Sequence, residues 1–211
     1  LLRYGKTLSQ KMTSLLKGSD QAIKERILGR LENWQGVKSK ADKSKLDTLL
    51  GYVEKDRSVA WVAILALFKE EVQTLALDEN ESYTEILTTV LPFVIPDLKL
   101  TKSEITSIVK TANFKQTPLT YWLEQIKTDD VRLVTDAVVT GATIGETEQE
   151  IVKRITGVVS LDGAGGVTKT AVNELDSFVM STVNLIPSAV RDAVIEKDDA
   201  VDKVVFVAVL D

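Results

Sequence analysis

The sequence predicts a mainly α protein: a helical bundle with a small β element near the C-terminus, a strand over about 203–210. Three observations predict it. Apolar residues recur at three- and four-residue intervals through most of the chain. Thr101-Lys-Ser-Glu104 and Thr147-Glu-Gln-Glu150 both have the spacing in which the first side chain and the fourth satisfy each other's backbone at a helix start. Lys203 to Leu210 is short and valine-rich, as buried strands are.

From the N-terminus, residues 1–57 read as helix. Ser19-Asp20 offers a cap for a segment carrying Ile23, Ile27, Leu28, Leu31 and Trp34 at helical spacing. Gly36 to Lys45 is small, polar and basic, which suggests a connection, and Leu46, Leu49, Leu50 and Val53 resume the period. Ser58 offers a cap for Val59 to Leu77, a segment apolar on most faces and therefore central to a bundle or docked on a partner. A further helix from Glu79 to Leu91 ends at Pro92, and an extended connector leads to Leu100.

The Thr101 box opens a short helix ending near Asn113. Pro118 suits the first turn of a helix carrying Trp122 and Ile126, and Asp129 offers a cap for Val131 to Val139. The Thr147 box starts a helix through Ile155, which Gly157 is placed to terminate. A helix from about Val167 to Leu185 follows the glycine-rich 162–166 stretch, and Pro187 starts another. The terminal strand needs a partner for its backbone groups: the 158–161 segment, chain beyond Asp211, or another molecule.

Composition narrows the chemistry. At 211 residues, 44% apolar and 27% charged, the chain can bury a sizeable globular core. It contains no cysteine and no histidine, which removes disulfides, thiolate metal sites and the commonest general base. The net charge of −5 is uneven: residues 1–57 carry 13 Lys and Arg against 7 Asp and Glu, so the excess acid lies beyond them. Such a basic arm suits phosphates or an acidic protein surface, but a set of solvated helix faces is the more ordinary reading. The apolar run Val59 to Phe68 is about half of the ~20 residues a membrane span needs.

Candidate chemistry is thin. Asp162-Gly-Ala-Gly-Gly-Val-Thr-Lys169-Thr170 resembles a phosphate loop, but such a loop needs glycine directly before its lysine, and here Thr168 stands there. A turn feeding a helix accounts for it better. The acid pairs Glu70-Glu71, Asp129-Asp130 and Asp198-Asp199 fall on different helix faces or at caps. Trp34, Trp61 and Trp122 occupy core-like positions. No catalytic, cofactor-binding or metal-binding residues are therefore assigned.

One ordered series points further. Pro118-Leu-Thr-Tyr-Trp122-Leu is followed by Gly145-Glu-Thr147…Glu150-Ile-Val-Lys-Arg-Ile-Thr-Gly157, then by Thr170-Ala-Val-Asn173 and a strand that ends on Asp211. This series resembles the phage head morphogenesis proteins, the Mu F-like minor head proteins. In that family a G-x-T/S-x-x-E-I-x-x-x-I-x-G helix precedes one opening R-T-x-x-N/T, and Lys169 stands here where arginine is frequent. The resemblance covers roughly residues 100–211. It implies two regions: an N-terminal helical region with the basic arm over 1–100, and a head morphogenesis domain over 101–211.

The family's next segment, an Arg-Thr turn and a cysteine stretch, would lie beyond Asp211, so the expectation is a domain cut short there. The resemblance further implies a non-enzymatic structural or assembly role in the virion, at the portal vertex or head interior, after assembly in the host cytoplasm. The implied partners are the portal or other head proteins, with packaged DNA touching the basic arm. Two other readings stay open: an ejection protein forming part of a DNA-delivery conduit at the host envelope, or the carrier region of a larger toxin or hydrolase.

Overall fold

The computed structural model describes residues 1–90, 98–158 and 165–197. Among them, six helices and one hairpin follow in the order α1 (Leu2–Arg30), α2 (Lys40–Val90), α3 (Lys102–Thr111), β1 (Asn113–Phe114), β2 (Thr117–Pro118), α4 (Leu119–Ile144), α5 (Glu148–Thr156) and α6 (Thr168–Glu196). The fold is a mainly α helical bundle with a small β element. That element is at 113–118, with Asn113 paired to Pro118 and Phe114 to Thr117 in antiparallel register. The strand expected at 203–210 lies outside the described residues.

Both capping boxes form. Thr101 Oγ1 accepts from the Glu104 backbone N–H at 3.2 Å, and the Glu104 carboxylate accepts from the Thr101 N–H at 2.6 Å. Thr147 and Glu150 repeat the pattern at 3.3 and 2.8 Å. Each pair satisfies two backbone donors that a helix start leaves open. Gly157 closes α5 as expected, at φ 72° and ψ −163°, a conformation that a Cβ would strain.

Five expected helix boundaries are absent. α1 runs unbroken through Ser19-Asp20, α2 through Ser58 and again through Asp78, α4 through Asp129, and α6 through Pro187. α2 is thus one helix of 51 residues, about 75 Å long, where the sequence suggested three. Its buried positions explain the continuity: Leu46, Leu49, Val53, Arg57, Ala60, Ile64 and Phe68 keep a three-and-four spacing straight past Ser58. Pro187 forfeits one backbone hydrogen bond, but Val183, Ile186, Val190 and Val194 on both sides of it are all buried. Packing on both flanks holds the helix through the interruption.

Two apolar clusters form the interior. The larger takes Leu8, Met12, Trp61, Phe68, Leu123, Phe178 and Val179; the smaller takes Ile23, Ile27, Leu49, Val53, Val134 and Ile151. Each draws side chains from both sides of residue 100. The Val59–Leu77 stretch is central to the bundle through Trp61, Ile64, Phe68, Val72 and Leu75, while Val59 and Val62 face outward at 61% and 63% exposure. Among the described residues, α6 is long and apolar enough, by length and composition, to cross a membrane; in this bundle it packs its apolar face against α1, α2 and α4.

Residues 1–57 are packed as α1 and the first part of α2, and several of their cations are engaged internally. Lys11 pairs with Glu71 at 2.6 Å, Arg26 pairs with Asp56, and Arg26 and Arg30 both lie over the Tyr52 ring. Tyr4 also donates to Glu71 at 2.6 Å, and these contacts hold the Glu71 carboxyl below its ordinary range, Lys11 first and Tyr4 second.

Candidate functional site

The false boundaries at Ser19-Asp20, Ser58 and Asp129 have one cause. Following α1, the larger cluster ends at Leu16 and the smaller begins at Ile23. Following α2, the clusters change between Val53 and Trp61; following α4, between Ile126 and Val134. The residues at each change are Ser19 and Asp20, Arg57, and Asp130, and all are buried. A polar layer therefore separates the two apolar clusters, and each of its members occupies a core position in its own helix.

Arg57 is the centre of that layer, with no exposed surface. Its Nε and Nη2 donate to the two oxygens of Asp130 at 2.6 and 2.8 Å, a bidentate pair. Nη1 donates to Asp20 Oδ1 at 2.8 Å, to the Leu16 carbonyl at 3.1 Å and to Ser19 Oγ at 3.3 Å. Nη2 also donates to Thr168 Oγ1 at 3.2 Å, and Thr168 donates in turn to Asp20 Oδ1 at 3.0 Å. The Trp61 indole N–H donates to Asp130 Oδ2 at 2.6 Å. One guanidinium thus joins α1, α2, α4 and the first residue of α6.

The electrostatics follow from one cation held with two carboxylates. Burial raises the Asp20 carboxyl above its ordinary range, and the charge of Arg57 and the hydrogen bond from Thr168 only partly offset it. For Arg57, burial works against the charge, but the bonds and charge of Asp130 and Asp20 outweigh it and hold the guanidinium more firmly protonated. The planar fork of arginine suits this place, since it can serve three helices at fixed angles where a lysine could not. Its chemistry is that of a clamp: every donor on Arg57 is used within the protein.

Two members of the clamp, Asp20 and Thr168, also line a surface cleft of about 570 Å³ between α1, α5 and α6. Lys17 and Lys24 from α1, Lys153 from α5 and Lys169 from α6 share its lining with Val152 and Val172.

Family models, curated proteins and solved structures show no match to this chain.

Each residue weighed from sequence has a place. Thr168, before Lys169, enters the Arg57 layer and is buried. Gly166 packs so closely on Gly157 that a Cβ would overlap the Gly157 backbone nitrogen. Asp162 lies outside the described residues, as do Asp198 and Asp199. Glu70 is exposed while its neighbour Glu71 binds Lys11 and Tyr4, and exposed Asp129 pairs with Arg132 at 3.3 Å while its neighbour Asp130 is buried on Arg57. Among the described residues, no group of three or more acids gathers as a metal site would. The tryptophans are packing anchors with satisfied indoles: Trp34 donates to the Ala142 carbonyl and Trp122 to the Phe114 carbonyl, both at 2.8 Å.

Sequence reasoning missed the layer because a charged residue at a core position looks like a helix end. The signal that could have found it is phase. Leu16, Asp20, Ile23 and Ile27 keep one helical register, as do Val53, Arg57, Trp61 and Ile64, and Ile126, Asp130, Val134 and Ala137.

Proposed function

We propose that this chain is a helical minor structural or assembly protein of a tailed-phage head, working by protein–protein contacts at the portal vertex or in the head interior. The ordered series from Pro118 through the Thr147-capped helix to Thr170-Ala-Val-Asn173 carries this reading. Its spacing agrees with the elements: Thr147 and Glu150 form a capping box, Gly157 ends α5, and the Thr170 to Asn173 stretch lies in the first turns of α6. The saturated clamp at Arg57 suits a rigid scaffold in which the surface, rather than a buried reactive group, performs the work. Head proteins are the partners proposed, and packaged DNA is a further contact for the cations of α1.

Deleting the gene from the phage and examining purified particles tests this. Heads that fail to complete, or that fail to deliver DNA, are the expected outcome. Normal particles with normal infectivity would overturn it.

A second reading is favoured by the outward-facing Val59 and Val62 on α2: an ejected protein that meets lipid or a neighbouring subunit in a DNA-delivery conduit. Liposome co-sedimentation separates the two, since the head-confined reading predicts no binding.

A further inference from the structure

The cleft between α1, α5 and α6 collects positive charge in a chain whose net charge is −5. The collection comes from helical geometry. On α1, Lys17, Asp20, Gln21 and Lys24 recur at i, i+3, i+4 and i+7, so one face of the helix presents two lysines, two turns apart, to the cleft. On α5, Gln149, Val152, Lys153 and Thr156 repeat the same spacing. Lys169 adds a fourth lysine from the first turn of α6. No described carboxylate lies within ion-pair distance of Lys17, Lys24 or Lys153, although Lys153 stands close enough to Glu150 on its own helix to add to the Thr147 bonds that lower that carboxyl. Asp20 is the acidic residue among the described lining, and its Oδ1 is occupied by Arg57 and Thr168.

Gathering like charges costs free energy unless something offsets it. Here the α1 and α6 walls are held together by the buried clamp, in which Thr168 donates to Asp20 and both accept from Arg57. Val152 and Val172 give the lining an apolar part, and the volume exceeds what a bare inorganic anion fills. We propose that the cleft binds a small organic phosphate of nucleotide size, its phosphate held by Lys24 and Lys153 and its non-phosphate part on Val152 and Val172. The site is made by lysines from three helices, not by a glycine loop, so it does not depend on the missing glycine before Lys169. It is independent of the head-protein reading.

Isothermal titration calorimetry of the full chain with ADP, with inorganic phosphate and with a short DNA duplex tests it, at low and at physiological salt. ADP is expected to bind one per chain, more tightly than phosphate. Lys24→Ala and Lys153→Ala are each expected to weaken ADP by roughly five- to tenfold without a change in melting temperature, since both side chains are exposed. Lys38→Ala and Lys40→Ala, outside the cleft, are expected to change nothing. No ADP binding at millimolar concentration, or binding indifferent to Lys24 and Lys153, would overturn the proposal. So would a duplex that binds more tightly than ADP, with steep salt dependence, and loses that affinity in Lys24→Ala and Lys153→Ala, which would make the cleft part of a nucleic-acid surface. Duplex binding indifferent to both substitutions lies elsewhere and leaves the ADP result to decide.

Discussion

Arg57→Met is the most informative single change. It keeps much of the aliphatic volume and removes the only cation in the polar layer. Six hydrogen bonds from the guanidinium are lost. Asp130, 1% exposed at its side chain, keeps the Trp61 indole alone as a donor, and Asp20, at 11%, keeps Thr168. Removing one partner of a buried ion pair costs about 3–5 kcal/mol, most of it the penalty of a carboxylate left without its counter-charge. With a urea slope of about 2 kcal/mol/M, the unfolding midpoint should fall by roughly 2 M.

The assay is urea denaturation followed by tryptophan fluorescence, which Trp61 makes sensitive to this layer. The combined variant Arg57→Met, Asp20→Asn, Asp130→Asn removes the orphaned charges and should recover most of the loss. If Arg57→Met does not fold, Arg57→Lys supplies the same test with a cation retained but the fork lost, at about half the cost. A loss under about 1 kcal/mol for Arg57→Met, or no recovery in the triple variant, would refute the clamp.

Further outcomes follow from other parts of the structure. Because burial raises the Asp20 carboxyl, its folded form holds the proton more tightly than the unfolded chain does. Its contribution is therefore fully present below the ordinary carboxylate value of 3.8 and is lost as pH rises through the raised value. The stability gap between the native chain and Asp20→Asn, measured by urea denaturation from neutral pH down to pH 4, should shift in favour of the native chain on acidification; a gap that moves the other way would contradict it. Thr147→Ala removes the α5 cap and should cost about 1 kcal/mol in the same assay. The β1–β2 turn places Lys115 and Gln116 at φ 49° and 65°, a conformation that favours Asn-Gly. Lys115→Asn with Gln116→Gly should therefore stabilise the chain by roughly 1–2 kcal/mol, read as a rise in melting temperature.

Particular elements show how far the sequence reads by itself. The Thr101 and Thr147 boxes and the Gly157 stop were legible because each is a contact between residues three or four apart, complete within a single turn. The helical character of nearly every segment was legible for the same reason. The false stops at Ser19-Asp20, Ser58 and Asp129 came from applying that local grammar where a distant partner decides. Nothing near Asp130 in sequence indicates a guanidinium 73 residues away, and without it an aspartate on a helix face reads as a cap. The hairpin at 113–118 was missed because its turn uses Lys-Gln rather than glycine or asparagine.

The sequence alone therefore determined the helical class, the α3 and α5 starts, the α5 end and the exclusion of histidine- and cysteine-based chemistry, all properties of composition or of one turn of chain. Only the tertiary structure decided how long the helices are and which lysines share a cleft. A buried charge is tolerated only where its counter-charges meet it, and those lie on other helices. Arg57, Asp20 and Asp130 could be core residues once α1, α2 and α4 were packed together, and the same packing brought Lys17, Lys24, Lys153 and Lys169 around one space.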